Sequence, residues 1–441
     1  MDAPSALSPR GGKWLPKSFK ADLPCPLEGR MPRFLTLDDF DVSGKTVLLR
    51  VDLNSPVDPA TGRLLDTLKL ARHAETIREL ASRGAKVVVM THQGRKGDPD
   101  FIPLRRHAEE LSRLLGVSVR YVDDIFGPKA KQAISSLQPG GVLLLENLRM
   151  WDGEAVNKPP KEHAKSELVR ELAPLADLFV NDAFAAAHRS HASLVGFTEV
   201  LPSAAGRVVE AELKALERVV KSPEHPFVCV TGGSKVEDEA AMIENLLSKG
   251  VADVVLTGGV VAMVMAVAKG INIGGVNVSF LEERGYIDSI DEARRVLSKY
   301  EDRIKVPLDF AVEAPGGGRL ELPLQSFPYE ARIMDIGIET SLMYGEELLK
   351  AKSIVMSGPM GVFEKRKFAL GTAHVLACAA ASKAFSVIGG GHTVAAAEEL
   401  KLVDKFSYVS TGGGAMMALL RGERLPAIEA LEEAARRLQG S

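Results

Sequence analysis

Short apolar runs, rich in Val, Leu and Ile, recur along this sequence and leave few folds open to it. Each run is followed by glycine or charged residues and then by a stretch with helical spacing. The runs are nearly continuous rather than alternating, which is typical of strands covered on both faces of a parallel sheet. The alternation of strands and helices predicts an α/β protein with doubly wound, Rossmann-like parallel sheets. The predicted strands are residues 46–49, 86–90, 142–145, 178–180, 227–230, 254–256, 354–356 and 385–388.

The chain is too long for one ordinary domain, because it has 441 residues and domains hold about 150. A stretch near the middle carries apolar residues at helical spacing, namely Val209, Leu213, Leu216 and Val220. It ends shortly before Pro226, and a new strand is predicted after that proline. We therefore expect two similar-sized domains joined by a hinge helix. The expected bounds are residues 31–204, residues 205–222 for the hinge helix, and residues 223–411.

The two ends of the chain are expected to behave differently. Residues 1–30 contain five prolines and no apolar segment of the kind found in a secretory signal. We expect these residues to be a poorly ordered N-terminal extension. Residues 412–441 form a tail that we expect to pack back toward the N-terminal domain.

Charge and composition exclude several classes of partner. Lys and Arg total 55 and Asp and Glu total 58, which gives a net charge of −3 and no bulk attraction to nucleic acid or anionic membranes. No uncharged stretch is longer than residues 254–268, which fall short of the ~20 residues that a membrane span needs. Three cysteines cannot form a disulfide framework, which indicates a reducing compartment. We expect a cytoplasmic monomer that binds neither nucleic acid nor membranes.

The predicted strands of the first half end in side chains that can bind an anion. Ligands of open parallel sheets bind at the carboxyl ends of the strands. The residues that follow these strands are Arg50, Asp52, Asn54, His92, Gly94, Arg95, Arg149, His188 and Arg189. Arginine grips phosphate and carboxylate oxygens in forked pairs, so this edge is expected to bind a small polyanion.

The predicted strands of the second half end in glycine instead. Glycines follow the four strands named above and a fifth short stretch at residues 407–410, in residues 232–235, 258–259, 357–361, 389–393 and 411–414. Glycine before a helix lets backbone N–H groups approach a phosphate chain, and the helix dipole assists. This half is therefore predicted to bind a nucleotide, although it has neither a complete P-loop nor a GxGxxG motif.

An anion-binding domain that faces a nucleotide domain is what phosphoryl transfer requires. The transferring group carries spread negative charge, so catalysis depends on positioning and electrostatic stabilisation. Water must be excluded to avoid hydrolysis, and two domains that close over their substrates would exclude it. We expect the ligand-free protein to be open and the ternary complex to be closed.

The chain resembles the phosphoglycerate kinase family from about residue 33 to its end. Matching segments occur in order, and details such as THQGR, SHASLVGF and GGGHT are most similar to the archaeal-type branch. The segments are LLRVDLNSPV (48–57), GAKVVVMTHQGR (84–95), LLLENLR (143–149), VNDAFAAAHRSHASLVGF (180–197), GGSKVED (232–238), SGPMGVFE (357–364), IGGGHT (388–393) and STGGGAM (410–416). The resemblance implies reversible phosphoryl transfer between ATP and the carboxylate of 3-phosphoglycerate in glycolysis and gluconeogenesis. The products are ADP and 1,3-bisphosphoglycerate, and Mg²⁺ is carried with the nucleotide.

The same resemblance implies roles for individual residues. The implied catalytic residues are Lys69, Arg189 and Lys235. The implied acid-binding residues are Arg50, Asp52, Leu53, Asn54, Lys69, His92, Gln93, Gly94, Arg95, Arg149, His188 and Arg189, with Arg50 and His188 in supporting positions. The implied nucleotide-binding residues are Gly233, Lys235, Gly258, Gly259, Ser357, Pro359, Glu364, Gly389, Gly390, Gly391, His392 and Thr393. The attacking carboxylate is already ionised at neutral pH, so no general base is assigned, and no residue is assigned as a metal ligand.

Three positions depart from the family pattern. Lys69 stands where the family has an arginine. Lysine supplies a positive charge but cannot bind two oxygens at once with the forked geometry of a guanidinium group. Glu239 replaces a second lysine of many members, and His392 replaces an acidic residue that follows the triple glycine. Two other interpretations therefore stay open, namely a catalytically weakened paralogue and a kinase of another small carboxylic acid.

Overall fold

The computed structural model describes residues 34–58 and 60–440, so the predicted extension at residues 1–30 lies outside the described residues. The first half of the described chain forms one six-stranded sheet with all strands parallel. Its strand order is β3-β4-β2-β1-β5-β6. The strands are β1 Thr46–Arg50, β2 Lys86–Met90, β3 Val119–Tyr121, β4 Val142–Leu144, β5 Leu178–Asn181 and β6 Ser203–Ala205.

The second half forms another six-stranded parallel sheet and a smaller antiparallel one. The parallel sheet has the order β15-β14-β13-β7-β8-β9 and the antiparallel sheet the order β11-β10-β12. The parallel strands are β7 Phe227–Thr231, β8 Val254–Thr257, β9 Ile304–Lys305, β13 Ser353–Ser357, β14 Phe385–Gly389 and β15 Tyr408–Val409. The antiparallel strands are β10 Asp309–Glu313, β11 Arg319–Pro323 and β12 Ile333–Ile336.

Fifteen α-helices connect and cover these sheets within the described residues. Those before the second sheet are α1 Leu68–Ser82, α2 Arg105–Leu115, α3 Pro128–Ser135, α4 Pro160–His163, α5 Glu167–Leu172 and α6 Arg207–Lys221. Those that follow are α7 Val236–Ser248, α8 Gly259–Ala268, α9 Gly275–Glu283, α10 Ser289–Tyr300, α11 Ile338–Lys350, α12 Leu370–Ala381, α13 Gly391–Glu399, α14 Gly413–Leu420 and α15 Pro426–Gln439. None of these helices combines the length and the apolarity that crossing a membrane requires.

Both parallel sheets are covered on their two faces, as the continuous apolar runs predict. Leu48 and Leu49 are neighbours on β1 but belong to different hydrophobic clusters, because successive side chains of a strand point to opposite faces. Val228 and Cys229 divide between two clusters in the same way on β7. The predicted fold class, two doubly wound parallel sheets, is confirmed. The predicted strands match the observed ones to within one residue.

The sequence interpretation missed the antiparallel sheet of β10, β11 and β12. Its edge strand β11 is only partly buried, and its leucines alternate with Arg319 and Glu321. A strand of this kind lacks the continuous apolar run that marks the parallel strands. The turn before it contains Gly316, Gly317 and Gly318, which is the sequence signal that could have revealed a hairpin.

Helix α6 leaves the first sheet at β6 and leads to the second sheet at β7. Its first N–H groups are capped from β5, because Asp182 Oδ1 accepts from the backbone N of Val208 at 2.8 Å and of Val209 at 3.3 Å. Helix α15 packs against β6, and Arg437 donates to the carbonyl oxygen of Thr198 at 2.7 Å. We propose that the two halves are separate domains, that α6 connects them, and that the final residues of the chain return to the first domain.

Gly206 provides a test of this cap. A Cβ at Gly206 would overlap the Asp182 carboxylate. We expect Gly206→Ala to lower the free energy of unfolding by about 1–2 kcal/mol, because the cap must move or break. Urea unfolding at neutral pH measures this change. The control is Gly318→Ala, where a Cβ meets nothing within 4 Å, and equal effects of the two substitutions would contradict the capping role.

Candidate active site

A cleft of about 760 Å³ lies between the two halves and is lined by both. From the first half come Asp52, Asn54, Lys69, His92, His188 and Arg189. From the second half come Gly233, Lys235, Gly259, Ser357, Pro359, Glu364, Gly390, Gly391, His392 and Thr393. All of these residues were named as site residues from the sequence, so the anion-binding and glycine-rich edges face a common space.

Asp52 and Lys69 form an ion pair on the first side of the cleft. Lys69 lies in the first turn of α1, and its Nζ is 3.0 Å from Asp52 Oδ2. Burial alone would raise the pKa of Asp52, but the charges of Lys69 and His92 and the Lys69 hydrogen bond hold that pKa well below its usual value. Asp52 is therefore ionised, and it keeps the ammonium of Lys69 at the wall of the cleft.

Arg50 does not line the cleft, although the sequence interpretation included it among the acid-binding residues. Its guanidinium is 1 % exposed, and its Nε donates to Ser193 Oγ at 2.9 Å. Its Nη2 lies 3.1 Å from His92 Nδ1, and Glu154 lies 4.0 Å away. This geometry fits the supporting position, because Arg50 holds His92, and His92 lines the cleft.

Glu154 is a site residue that sequence reasoning missed. It is buried behind the cleft and accepts from Ser193 Oγ at 2.5 Å and from Ser193 N at 3.1 Å. A buried arginine requires a buried partner, so the carboxylate compensates the charge of Arg50. No sequence motif marks it, because the two residues lie far apart in the chain.

The other arginines form one positive region. Burial lowers the pKa of Arg149, and so do the charges of Arg189, Arg50 and Arg95. Arg149 Nη1 donates to the carbonyl oxygen of Gly94. Several named residues lie outside the cleft lining, namely Arg50, Leu53, Gln93, Gly94, Arg95, Arg149, Gly258 and Gly389.

The start of α7 brings Lys235 and Glu239 to the second side of the cleft. Lys235 is exposed at the N-cap position, whereas Glu239 is buried and its carboxylate accepts from the hydroxyl of Thr231. Burial raises the pKa of Glu239 to about 8, despite the opposing hydrogen bond from Thr231. Glu239 is therefore protonated and neutral at pH 7, and it does not repel an anion in the cleft.

Helix α13 directs its N-terminus into the cleft through Gly390, Gly391 and His392. Gly390 has a φ of 87°, which favours glycine, and the N–H of Gly358 donates to Thr393 Oγ1 at 2.7 Å. The first N–H groups of a helix have no partner within that helix. They and the helix dipole form a site suited to phosphate.

The N-terminus of α8 differs from that of α13, although glycines precede both helices. The N–H of Gly258 donates to Thr231 O at 2.8 Å, and that of Gly259 donates to Met360 O at 2.8 Å. The N–H of Val260 donates to Gly233 O at 2.9 Å. These donors are used inside the protein, so glycine before a helix does not by itself identify a phosphate site.

An apolar recess at the second side of the cleft was also missed from the sequence. Its walls come from α8, α9, β10 and β12, and they include Val260, Met263, Phe280, Phe310, Ile333 and Met334. Arg332 lies over the ring of Phe280, 4.3 Å from its centroid. Because the walls come from four separate elements, no local motif could have predicted the recess.

The two halves also touch beside the cleft. A Cβ at Gly414 would lie 3.1 Å from His188 Cε1, so α14 meets the segment that carries Arg189. Burial and the charges of Arg189 and Lys235 lower the pKa of His188. Lys235 belongs to the second half and His188 to the first, so the two edges are close enough to interact.

Two parallel-sheet halves that bring anion-binding side chains and glycine-rich helix N-termini to one cleft form the kind of site that phosphoryl transfer requires. The family model described as "Phosphoglycerate kinase" matches residues 37–423. The chain is 48% identical over 401 residues to the phosphoglycerate kinase of Methanothermobacter thermautotrophicus, covering 91% of this chain and 97% of that one. It is 49% identical over 407 residues to the phosphoglycerate kinase of Methanosarcina mazei, covering 92% of this chain and 97% of that one. The crystal structure of phosphoglycerate kinase from Pyrococcus horikoshii has a TM-score of 0.86 and 43% identity, covering 91% of this chain and 99% of that one.

The chain belongs to the phosphoglycerate kinase family. This confirms the family, its archaeal-type branch and the phosphoglycerate kinase function predicted from the sequence. These matches do not favour the two other interpretations, a weakened paralogue and a kinase of another acid.

The neutral carboxyl of Glu239 predicts a pH dependence of stability. Its pKa is raised from 4.5 to about 8, so in this range the folded protein holds a proton that the unfolded chain releases, and stability falls as pH rises. Glu239→Gln stays neutral at every pH. Relative to this variant, we expect the free energy of unfolding of the native protein to fall by roughly 1.4 kcal/mol per pH unit between about pH 5 and 8. We expect no further decrease at higher pH. Urea unfolding across this range measures the difference, and a constant difference would contradict a raised pKa.

Proposed function

We propose that this chain catalyses reversible transfer of the γ-phosphoryl group of ATP to the carboxylate of 3-phosphoglycerate. The products are ADP and 1,3-bisphosphoglycerate, and the reaction belongs to glycolysis and gluconeogenesis. The observation that carries the proposal is the single cleft lined by Lys69 and Arg189 on one side and by Lys235 and the N-terminus of α13 on the other.

The first side supports binding of the acid. Arg189 and Lys69 supply positive charge at the cleft wall, and Asn54 and His92 supply hydrogen-bonding groups. Arg149 and Arg95 lie outside the cleft lining, and their charges add to the positive potential of this side. A triose acid with a phosphate at one end and a carboxylate at the other suits this surface, because arginine binds both groups.

The second side supports binding of the nucleotide. The N-terminus of α13 opens into the cleft, which supports a role in binding the phosphates, and the apolar recess offers walls of the kind that bind a flat base. Glu364 lines the same space, and the family resemblance assigns it to the ribose. Lys235 is exposed in the cleft lining, which supports the role in following the transferred group that the family resemblance implies.

The chemistry needs few groups. A carboxylate oxygen of the acid attacks the γ-phosphorus, the new oxygen–phosphorus bond forms, and the bond to the β,γ-bridging oxygen breaks to release ADP. The attacking oxygen is already ionised, so no proton has to be removed. Lys69, Arg189 and Lys235 neutralise the charge that spreads over the transferring oxygens.

Mg²⁺ is expected to arrive with the nucleotide. Among the described residues, no group of three or more His, Cys, Asp or Glu side chains could hold a metal ion. We therefore propose that such an ion would be held by the phosphate oxygens of the nucleotide and by water. When bound, such an ion would screen the negative charge of the phosphates. A cytoplasmic location and a monomeric state remain predictions.

Steady-state kinetics test the proposal directly. We expect the purified protein to phosphorylate ADP from 1,3-bisphosphoglycerate and to run the reverse reaction with ATP, with saturation by 3-phosphoglycerate. A coupled assay with a panel of nucleotides and small acids measures this. Binding of both substrates without turnover would support a weakened paralogue, and turnover of another acid alone would support a different kinase.

Lys69 gives the sharpest mutational test of the acid side. We expect Lys69→Ala to lower kcat roughly 100-fold, because one cation at the transition state is lost. We expect Lys69→Arg to raise kcat, because a fork binds the transferring oxygens better than a single ammonium. Lys129→Ala is the control, since Lys129 is exposed and lies outside the cleft lining. Unchanged kcat in both Lys69 variants would remove Lys69 from the mechanism.

Substitution of His392 tests whether its imidazole helps to bind Mg²⁺. Its side chain is 75 % exposed, and its Nδ1 is 3.3 Å from Glu364 Oε1. Because Mg²⁺ prefers oxygen ligands, we expect His392→Ala to leave the Mg²⁺ concentration for half-maximal activity within about twofold of the native value. Titration of activity with Mg²⁺ at saturating nucleotide measures this. A tenfold increase in that concentration would show that the imidazole holds the ion.

A further inference from the structure

His73 is a buried side chain that the proposed chemistry does not use. It lies on α1, four residues after Lys69, and its side chain is 1 % exposed. Residues four apart share one face of a helix, so the face of α1 that sends Lys69 to the cleft sends His73 into the interior. A buried imidazole needs partners for both ring nitrogens.

Both partners of His73 are present, and they belong to different parts of the molecule. The backbone N–H of Asp52 donates to His73 Nε2 at 3.3 Å. On the other side of the ring, His73 Nδ1 lies 3.0 Å from Asp182 Oδ2. Because Nε2 accepts, the ring proton resides on Nδ1 and is donated to the Asp182 carboxylate.

Each of these partners also forms hydrogen bonds with a neighbouring element. The carboxylate of Asp52 holds Lys69 at 3.0 Å and accepts from the backbone N of Asn54 at 3.0 Å, so it orders the acid-binding loop. The other oxygen of Asp182 caps α6 through the N–H groups of Val208 and Val209. His73 joins the carboxylates of these two clusters through one side chain, in addition to the backbone hydrogen bond from Asp182 N to Arg50 O at 2.8 Å.

We propose that His73 is a positioning residue that ties the acid-binding loop at Asp52 to the N-terminus of the connecting helix α6. This inference rests on the proposed function. The imidazole ring is rigid, so a shift of Asp52 toward a bound acid must move the ring against Asp182 or break one of two buried hydrogen bonds. Binding of the acid is thereby coupled to the position of α6, and α6 sets how the second half approaches the first.

Two variants test the two hydrogen bonds of His73 separately, because each keeps one of the two ring-nitrogen positions. In His73→Gln the side-chain oxygen can replace Nε2 as the acceptor for Asp52, whereas the bond to Asp182 is lost. In His73→Asn the side-chain nitrogen can replace Nδ1 as the donor to Asp182, whereas the bond to Asp52 is lost. Thr76→Val is the matched control, because Thr76 is buried on the same helix and its hydroxyl has no partner among the described residues.

We expect the variants to change different kinetic constants. His73→Asn should raise KM for 3-phosphoglycerate roughly tenfold, because the acid-binding loop loses its anchor. His73→Gln should keep that KM within about twofold but lower kcat roughly tenfold and reduce the compaction that small-angle scattering records with both substrates. KM for the nucleotide and all constants of Thr76→Val should stay within about twofold of native values.

The outcomes separate this inference from the proposed function. An inactive native protein overturns the proposed function, and native turnover with unchanged kinetics and compaction in both His73 variants overturns the role of His73. If the variants do not fold, amide hydrogen exchange of the native protein decides. We expect 3-phosphoglycerate alone to slow exchange in the first turn of α6 by at least threefold. Unchanged exchange there, with the acid bound, overturns the inference.

Discussion

The parallel direction of the strands determines where this protein can place a ligand. In each six-stranded sheet every strand runs the same way, so all carboxyl ends meet at one edge. The helices that follow those ends then direct their N-termini toward the same edge. Because α6 brings the two edges to opposite sides of one cleft, two separate sets of loops become one site.

The two sides of the cleft attract anions by different physical means. The first side uses side-chain charge, which is costly to bury, and so Arg50 is held by Ser193 and Glu154 and Asp52 is held by Lys69. The second side uses backbone N–H groups and the dipole of α13, which need no counter-charge. A neutral Glu239 agrees with this difference, because an ionised carboxylate in the cleft wall would repel the phosphates. Side-chain charge suits a small acid with two anionic ends, and backbone donors suit a phosphate chain.

Much of this organisation could be predicted from the sequence because it depends on local patterns. Continuous apolar runs marked the parallel strands, and the residues just after them marked most of the cleft. The antiparallel strand β11 was missed because its leucines alternate with charges and little of it is buried. The apolar recess was missed because Met263, Phe280 and Phe310 come from separate elements. The position of Arg50 and Arg189 after a strand did not distinguish the two, but the family resemblance placed Arg50 in a supporting position, and Arg50 is buried outside the cleft lining whereas Arg189 lines the cleft.

The departures from the family pattern become consistent once their surroundings are known. A lysine at position 69 is a weaker ligand for phosphoryl oxygens than an arginine, but a single ammonium fits the single carboxylate oxygen of Asp52 that faces it. Asp52 in turn depends on His73 for the placement of its backbone. The position of the catalytic cation is therefore set by two residues of one helix face, Lys69 and His73, acting on the same aspartate. A substitution on that face changes both the charge at the cleft and the connection to α6, because Lys69 and His73 both bond to Asp52.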